Sequence, residues 1–210
     1  MTDSLRLLPY GDRALLVELG STEAALLHAE ALRVHPPEVV ATIVPAATTV
    51  LVVAADRASV ADLRRALASV EPVALEQIDP EGEVVEVSVI YDGEDLADVA
   101  ELTGLSAEEV VAAHTGQNWR VAFGGFAPGF GYLVGEDDRL HVSRREESRT
   151  AVPAGAVGLA GEYSGMYPRE SPGGWQLIGR TDATLWDLER DPPALLSPGT
   201  RVRFVQAGTS

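Results

Sequence analysis

The chain has 210 residues, 46% of them hydrophobic, enough for one large domain or two small ones. It contains no cysteine and no lysine, which excludes disulfides, zinc–thiolate sites, cysteine nucleophiles, Schiff bases and a P-loop of the G-x-x-x-x-G-K-[ST] kind. Sixteen arginines stand against 32 acids for a net charge of −16, a balance that repels phosphate backbones and anionic membranes.

The opening Met1-Thr-Asp-Ser-Leu-Arg lacks the basic-then-apolar layout of a signal peptide, so a cytoplasmic setting is expected. Leu5–Leu8 and Ala14–Leu19 read as two strands parted by the turn Pro9-Tyr10-Gly11-Asp12. Ser21 caps a predicted helix to about Arg33, with Ala25, Ala29 and Leu32 on one face, and His35-Pro36-Pro37 ends it. The most apolar run, Val39 to Ala55, is broken by Pro45 and Thr48-Thr49 and reads as two buried strands rather than a membrane span. Ser59 opens a second helix with Asp62 as its capping-box partner. This order predicts a small α+β domain over residues 1–82. Glu71 to Gly82 reads as a linker, and Glu83–Tyr91 as a further strand or the start of the next domain.

Asp95–Gly116 has the outline of a DNA-binding helix-turn-helix, with Ser106 and Glu109 forming another capping box. Its second helix opens on Glu108 and Glu109 and has no arginine before Arg120, the wrong charge for phosphates and base edges. It reads instead as a helical hairpin packed on a barrel. His114 ends that helix, where the dipole favours the imidazolium form. A capping or surface histidine explains the position, and so does a proton-transfer group facing the Phe126–Tyr132 loop.

From Trp119 the pattern turns to short strands: Arg120–Phe126, Leu140–Ser143, Ala156–Ala160, Trp175–Gly179, Ala183–Leu188 and Arg201–Val205. Turn residues at this spacing predict a closed or nearly closed β-barrel. The charge changes at the same place: 6 Arg against 21 acids before Trp119, and 10 against 11 after it. A small anionic substrate therefore fits the second half better. Glycine and proline are interleaved there with Phe126, Phe130, Tyr132, Tyr167 and Trp175, as in ordered loops around a pocket. Tight barrel corners explain the same composition.

No hydrolytic triad is visible, since Gly161-Glu-Tyr-Ser164-Gly165 lacks the G-x-S-x-G spacing. Ser171 stands before Gly173 and Gly174, whose N–H groups can form an anion-binding nest; a plain turn uses the same letters. Arg139, Arg144, Arg145 and Arg149 follow the first loop, suited to a carboxylate or phosphate unless they pair with Glu146 and Glu147. Arg149, beside Val152-Pro153-Ala154-Gly155, is the strongest candidate. The four histidines show no metal-binding spacing, so no metal site is expected.

Three segments carry a resemblance. F-G-G-F-A-P-G-F-G-Y-L (Phe123–Leu133), V-P-A-G-A-V-G-L-A-G from Val152 and Y-P-R-E-S-P-G-G-W-Q-L-I-G-R-T (Tyr167–Thr181) resemble, in the same order, the signatures of the KipI/PxpB family, the B subunits of 5-oxoprolinase, also called allophanate hydrolase subunit 1. Leu8–Glu18 and His114-Thr115 also fit, so the resemblance spans nearly the whole chain. Gly131 stands where the signature often has proline, and Glu162-Tyr163 replaces a glycine-containing pair.

The resemblance implies an α+β N-terminal domain followed by a cyclophilin-like β-barrel domain over 83–210, with the helical hairpin inserted near 95–116. It implies a KipA/PxpC-like partner and a LamB/YcsF-like third subunit, together an ATP-dependent 5-oxoprolinase that opens pyroglutamate to glutamate, with ATP bound either by this chain or elsewhere in the complex. A KipI-like inhibitor of a sensor histidine kinase is the alternative. The signature positions are His114, Pro128, Gly129, Tyr132, Pro153, Gly155, Ser171, Gly173, Gly174, Trp175 and Gln176. With Arg149 these form the candidate site, His114 and Ser171 as catalytic groups and the others as substrate-binding ones.

Overall fold

The computed structural model describes residues 5–70 and 84–208, so the expected linker lies outside the described residues. Packing divides the chain into two units, Met1–Glu81 and Gly82–Ser210.

In the first unit, β1 (Arg6–Tyr10), β2 (Ala14–Glu18), β3 (Val40–Pro45) and β4 (Thr49–Ala54) form an antiparallel sheet in the order β1-β2-β4-β3. Strand alternation sends Leu15 and Val17 of β2, and Val50 and Val52 of β4, into one core. Helices α1 (Thr22–Val34) and α2 (Val60–Leu67) cover it with Ala25, Ala29, Leu32, Leu63 and Leu67. Ser21 accepts from the Ala24 N–H, and Ser59 with Asp62 forms the expected capping box. His28 of α1 is fully buried, and neither ring nitrogen has a partner among the described residues.

The second unit is a seven-stranded sheet, ordered β12-β9-β10-β7-β6-β13-β5. Its strands are β5 (Val84–Val89), β6 (Trp119–Gly124), β7 (Gly131–Gly135), β9 (Ala156–Ala160), β10 (Tyr163–Met166), β12 (Gln176–Arg180) and β13 (Arg201–Gln206). β5 runs parallel to β13, and just beyond it Ile90 and Arg180 exchange two backbone hydrogen bonds of 2.9 Å. That bridge joins the sheet's two ends, leaving a nearly closed, cyclophilin-like barrel. A two-stranded ribbon, β8 (Arg149–Val152) with β11 (Ser171–Gly173), lies apart from it.

Helices α3 (Leu96–Thr103) and α4 (Ala107–Thr115) are the expected hairpin. Gly104 caps α3 at φ +70°, a left-handed turn that favours glycine, and Ser106 with Glu109 forms the second capping box. Val99 and Val110 of the hairpin pack with Val87, Leu133, Val157 and Phe204 of the strands.

Two expected strands differ. Leu140–Ser143 contains the end of a 3-10 turn (Asp138–Leu140) and one isolated bridge from Val142 to Gly161. Ala183–Leu188 is irregular, with an isolated bridge from Trp186 to Ala194. Conversely, Gly131–Gly135 and Tyr163–Met166 are barrel strands despite their glycines. A Cβ on Gly165 would lie 3.0 Å from both Phe130 and Trp175. Large rings crossing the sheet require hydrogen there, and that requirement overrides strand propensity.

Candidate functional site

The second unit has two sets of packed residues on its barrel sheet. Leu133 and Ser164 turn to the hairpin side, while their neighbours Tyr132 and Tyr163 turn to the other. On that other side Phe130, Tyr132, Tyr167 and Trp175 form an aromatic face. Phe130 stands edge-on to Trp175 at 5.4 Å and to Tyr167 at 5.5 Å, and Tyr132 lies 5.7 Å from Trp175. Such pairs add about 0.5–1.5 kcal/mol each beyond the area they bury. Burial raises the Tyr167 hydroxyl pKa.

Phe126 edges this face, within 5.3 Å of Phe130 and 6.0 Å of Tyr167, yet is 56% exposed. Its φ is +63°, in the left-handed region that bulky side chains avoid at about 1–2 kcal/mol. A strained, exposed ring at the rim of a buried aromatic cluster has the character of a ligand-contacting group.

Arg149 is held rather than free. Its Nη2 donates to Asp95 Oδ1 at 2.7 Å and to Glu94 at 3.3 Å, and its Nη1 to the Trp175 carbonyl at 3.4 Å. The bond to Asp95 is the main cause of its raised pKa. Asp95 is 1% exposed; it also accepts from Arg145 Nη1 at 2.5 Å and from the Leu177 N–H at 2.6 Å. One carboxylate therefore ties two arginines to the strand that follows Trp175. Arg149, expected to meet an anion, is thus already engaged by two carboxylates and by the Trp175 carbonyl. Arg144 is exposed and has no ion pair or hydrogen bond among the described residues, and it lies close enough to Tyr167 to act on its hydroxyl.

Next to this latch is an open cleft of about 740 Å³, lined by Asp98, Glu101, Leu102, Arg145, Glu146, Glu147 and Gln176. Gln176 connects it to the aromatic face through its neighbour Trp175.

The chain as a whole matches known proteins. A family model described as "Carboxyltransferase domain, subdomain C and D" covers residues 5–196. The chain belongs to that family. It is 49% identical over 133 residues to the 5-oxoprolinase B subunit of Escherichia coli O157:H7, covering 62% of this chain and 61% of that protein. It is 45% identical over 126 residues to the Bacillus subtilis protein of the same name, covering 59% and 52%. The chain thus matches only about half to three fifths of the length of these relatives. Among solved structures, TTHA0988 superposes with a TM-score of 0.77 at 38% identity, over 95% of this chain and 41% of that one.

In this member of the family His114 lies away from the aromatic face. It is fully buried, its Nδ1 bonded to Tyr91 OH at 2.7 Å and its Nε2 to Ser164 Oγ at 2.8 Å, with Phe204 stacked on the ring at 4.1 Å. Ser164 and Tyr132 turn to opposite sides of the sheet, so the sheet separates His114 from the loop it was expected to face. Burial holds the imidazole neutral, lowering its pKa to about 3. The expected imidazolium is thereby corrected: desolvation outweighs the helix dipole.

The glycines and prolines hold the loops closed. Gly155 has φ +80°, and a Cβ there would sit 2.2 Å from the Thr181 carbonyl oxygen. Its N–H donates to Tyr167 O while its carbonyl accepts from Thr181 N, and Pro153 O accepts from Ala156 N. Gly129, after Pro128, has φ +86° and approaches Leu185 and Trp186. Gly173 and Gly174 admit the Tyr167 hydroxyl and Ser148. Ser171 donates to the Arg169 carbonyl at 3.2 Å from the β11 ribbon. Tyr132 and Trp175 are brought together, and Arg149 bonds to the Trp175 carbonyl from the ribbon that also carries Ser171; Gln176 lies opposite Leu159 on the hairpin side, and His114 is not brought in. Asp95, which organises the group, was read only as a helix start; the two arginines that need a buried acid were its one sequence signal.

Proposed function

We propose that the chain is the B-type component of an ATP-dependent 5-oxoprolinase or related amide hydrolase. It acts in the cytoplasm with a KipA/PxpC-like subunit and a LamB/YcsF-like one. The observation that supports this reading is the convergence of Tyr132, Tyr167 and Trp175, from separate Gly/Pro segments, on one side of the barrel. Proteins named as the B subunit of 5-oxoprolinase are 44–49% identical to the chain over 126–133 residues.

The flat lactam ring packs on Phe126 and Tyr132, and its carboxylate meets Arg144, whose guanidinium is unpaired among the described residues. Asp95 and Arg149 keep the Trp175–Leu177 main chain in register beside it. The five-membered lactam is a stabilised amide, and ATP supplies phosphorylation of its oxygen, which makes a better electrophile. Arg145 and Arg149 are both engaged by Asp95 and the chain has no lysine. The phosphates are therefore held mainly by the other subunits.

The test is ATP-dependent glutamate release from 5-oxoproline by the co-expressed subunits. Arg144→Ala is expected to raise KM roughly tenfold, the loss of one charged hydrogen-bonding contact. A well-folded complex that releases no glutamate refutes the reading.

A further inference from the structure

The sheet of the first unit has a face that no core uses. Its helices cover the side carrying Leu15, Val17, Val50 and Val52, so strand alternation sends the residues between them to the opposite side. Register aligns these in rows across the sheet. Leu8 of β1 lies opposite Leu16 of β2, Leu16 opposite Leu51 of β4, and Leu51 opposite Val44 of β3. A second row, Tyr10, Ala14, Val53 and Thr42, runs beside it. Leu8, Leu16, Val44, Leu51 and Val53 belong to none of the three packed clusters among the described residues, and Val44 and Tyr10 are 45% and 60% exposed.

A contiguous apolar face marks a contact surface, and its charges say what kind. The first unit has six arginines against 12 acids. Its four strands contain one of each, Arg6 and Glu18, on this face and paired at 2.6 Å. A partner selected by charge finds no field to read here. A second copy, itself carrying −16, meets least repulsion where charges are few and already paired. The face also matches itself. A two-fold axis parallel to the strands, between β2 and β4, brings Leu16 onto the second copy's Leu51 and Leu8 onto its Val44. It also sets Tyr10 against the copy's Thr42 and Glu18 against its Thr49, every contact occurring twice.

We propose that this face is where two copies of the chain meet, as a sheet-on-sheet dimer with its strands aligned to within about 30°. Four strands about 4.8 Å apart and five residues long at about 3.4 Å each give a footprint of roughly 320 Å² per copy. A standard stable interface takes about 800 Å² per partner, so this dimer is weak and forms as concentration rises. The proposal concerns assembly and stands whether or not the amide-hydrolase reading does.

The test is sedimentation equilibrium of the full chain from about 10 µM to about 1 mM, at low and high salt. The wild type passes from monomer to dimer, more readily at high salt, because salt screens the repulsion between two acidic chains. Leu16→Glu and Leu51→Arg, both at partly exposed positions, each raise the midpoint concentration roughly tenfold or more. Mixing the two variants restores the dimer near the wild-type concentration, since the introduced charges face each other across the axis. Val44→Arg, at an exposed edge position, also weakens the dimer and decides if either of the others fails to fold.

A wild type that stays monomeric to about 1 mM overturns the proposal and leaves the face to another protein. A dimer that all three variants leave unchanged overturns it by placing the contact elsewhere. So does a dimer that dissociates as salt is added. Two folded, monomeric variants whose mixture also stays monomeric overturn the two-fold pairing.

Discussion

Acidification tests the interior of the barrel through His114. The imidazole is fully buried between Tyr91, Ser164 and Phe204, and its pKa falls to about 3 from an ordinary 6.5. Between those values the unfolded chain takes up a proton that the folded chain refuses, so stability rises with pH. The contribution is fully present above pH 6.5 and is lost as pH falls toward 3. Linkage puts the loss between pH 7 and pH 5 at about 2 kcal/mol, and at about 3 kcal/mol by pH 4. Urea unfolding followed by tryptophan fluorescence measures it. All three tryptophans, Trp119, Trp175 and Trp186, belong to the barrel unit, so the signal reports that unit alone. Carboxylates titrate over the same range, and His114→Gln is the control. The variant starts less stable, because Tyr91 and Ser164 lose part of their pairing, but it lacks the histidine's share of the pH slope. Wild type and variant losing equal stability between pH 7 and pH 5 would refute a neutral buried imidazole.

Asp95→Asn removes the charge that holds Arg145 and Arg149. The barrel is expected to lose about 3 kcal/mol, seen as a lower urea midpoint, since a buried pair is broken from one side. Gly155→Ala places a methyl against the Thr181 carbonyl at positive φ and should cost more than about 1 kcal/mol, with faster hydrogen exchange at Thr181. In the first unit, His28→Leu is expected to raise stability by about 1 kcal/mol, because two buried, unpartnered nitrogens disappear. Circular dichroism melting of that unit alone, residues 1–81, checks it: an unchanged or lower Tm goes against the reasoning.

Much of the fold was legible in local patterns. The apolar runs Ala14–Glu18 and Thr49–Ala54, together with the capping pairs Ser59/Asp62 and Ser106/Glu109, set strands and helix starts because both depend on residues a few positions apart. The strands at Gly131 and Tyr163 escaped notice because their glycines answer to Phe130, Trp175, Val121 and Leu196, which arrive from elsewhere in the chain. Part of the site was legible in the same way. Tyr132, Tyr167 and Trp175 stood out by composition, and they lie in one aromatic cluster.

By itself, the sequence determined the chemistry that is absent, the acidic balance and the order of elements, since composition and short-range periodicity do not depend on how the chain closes. Tertiary structure decided which charges remain available. Asp95 lies 54 positions from Arg149 and 50 from Arg145, yet its burial beside both pairs each of them with a carboxylate. The same closure places His114 inside the barrel, where loss of water, rather than its place at a helix end, decides its protonation.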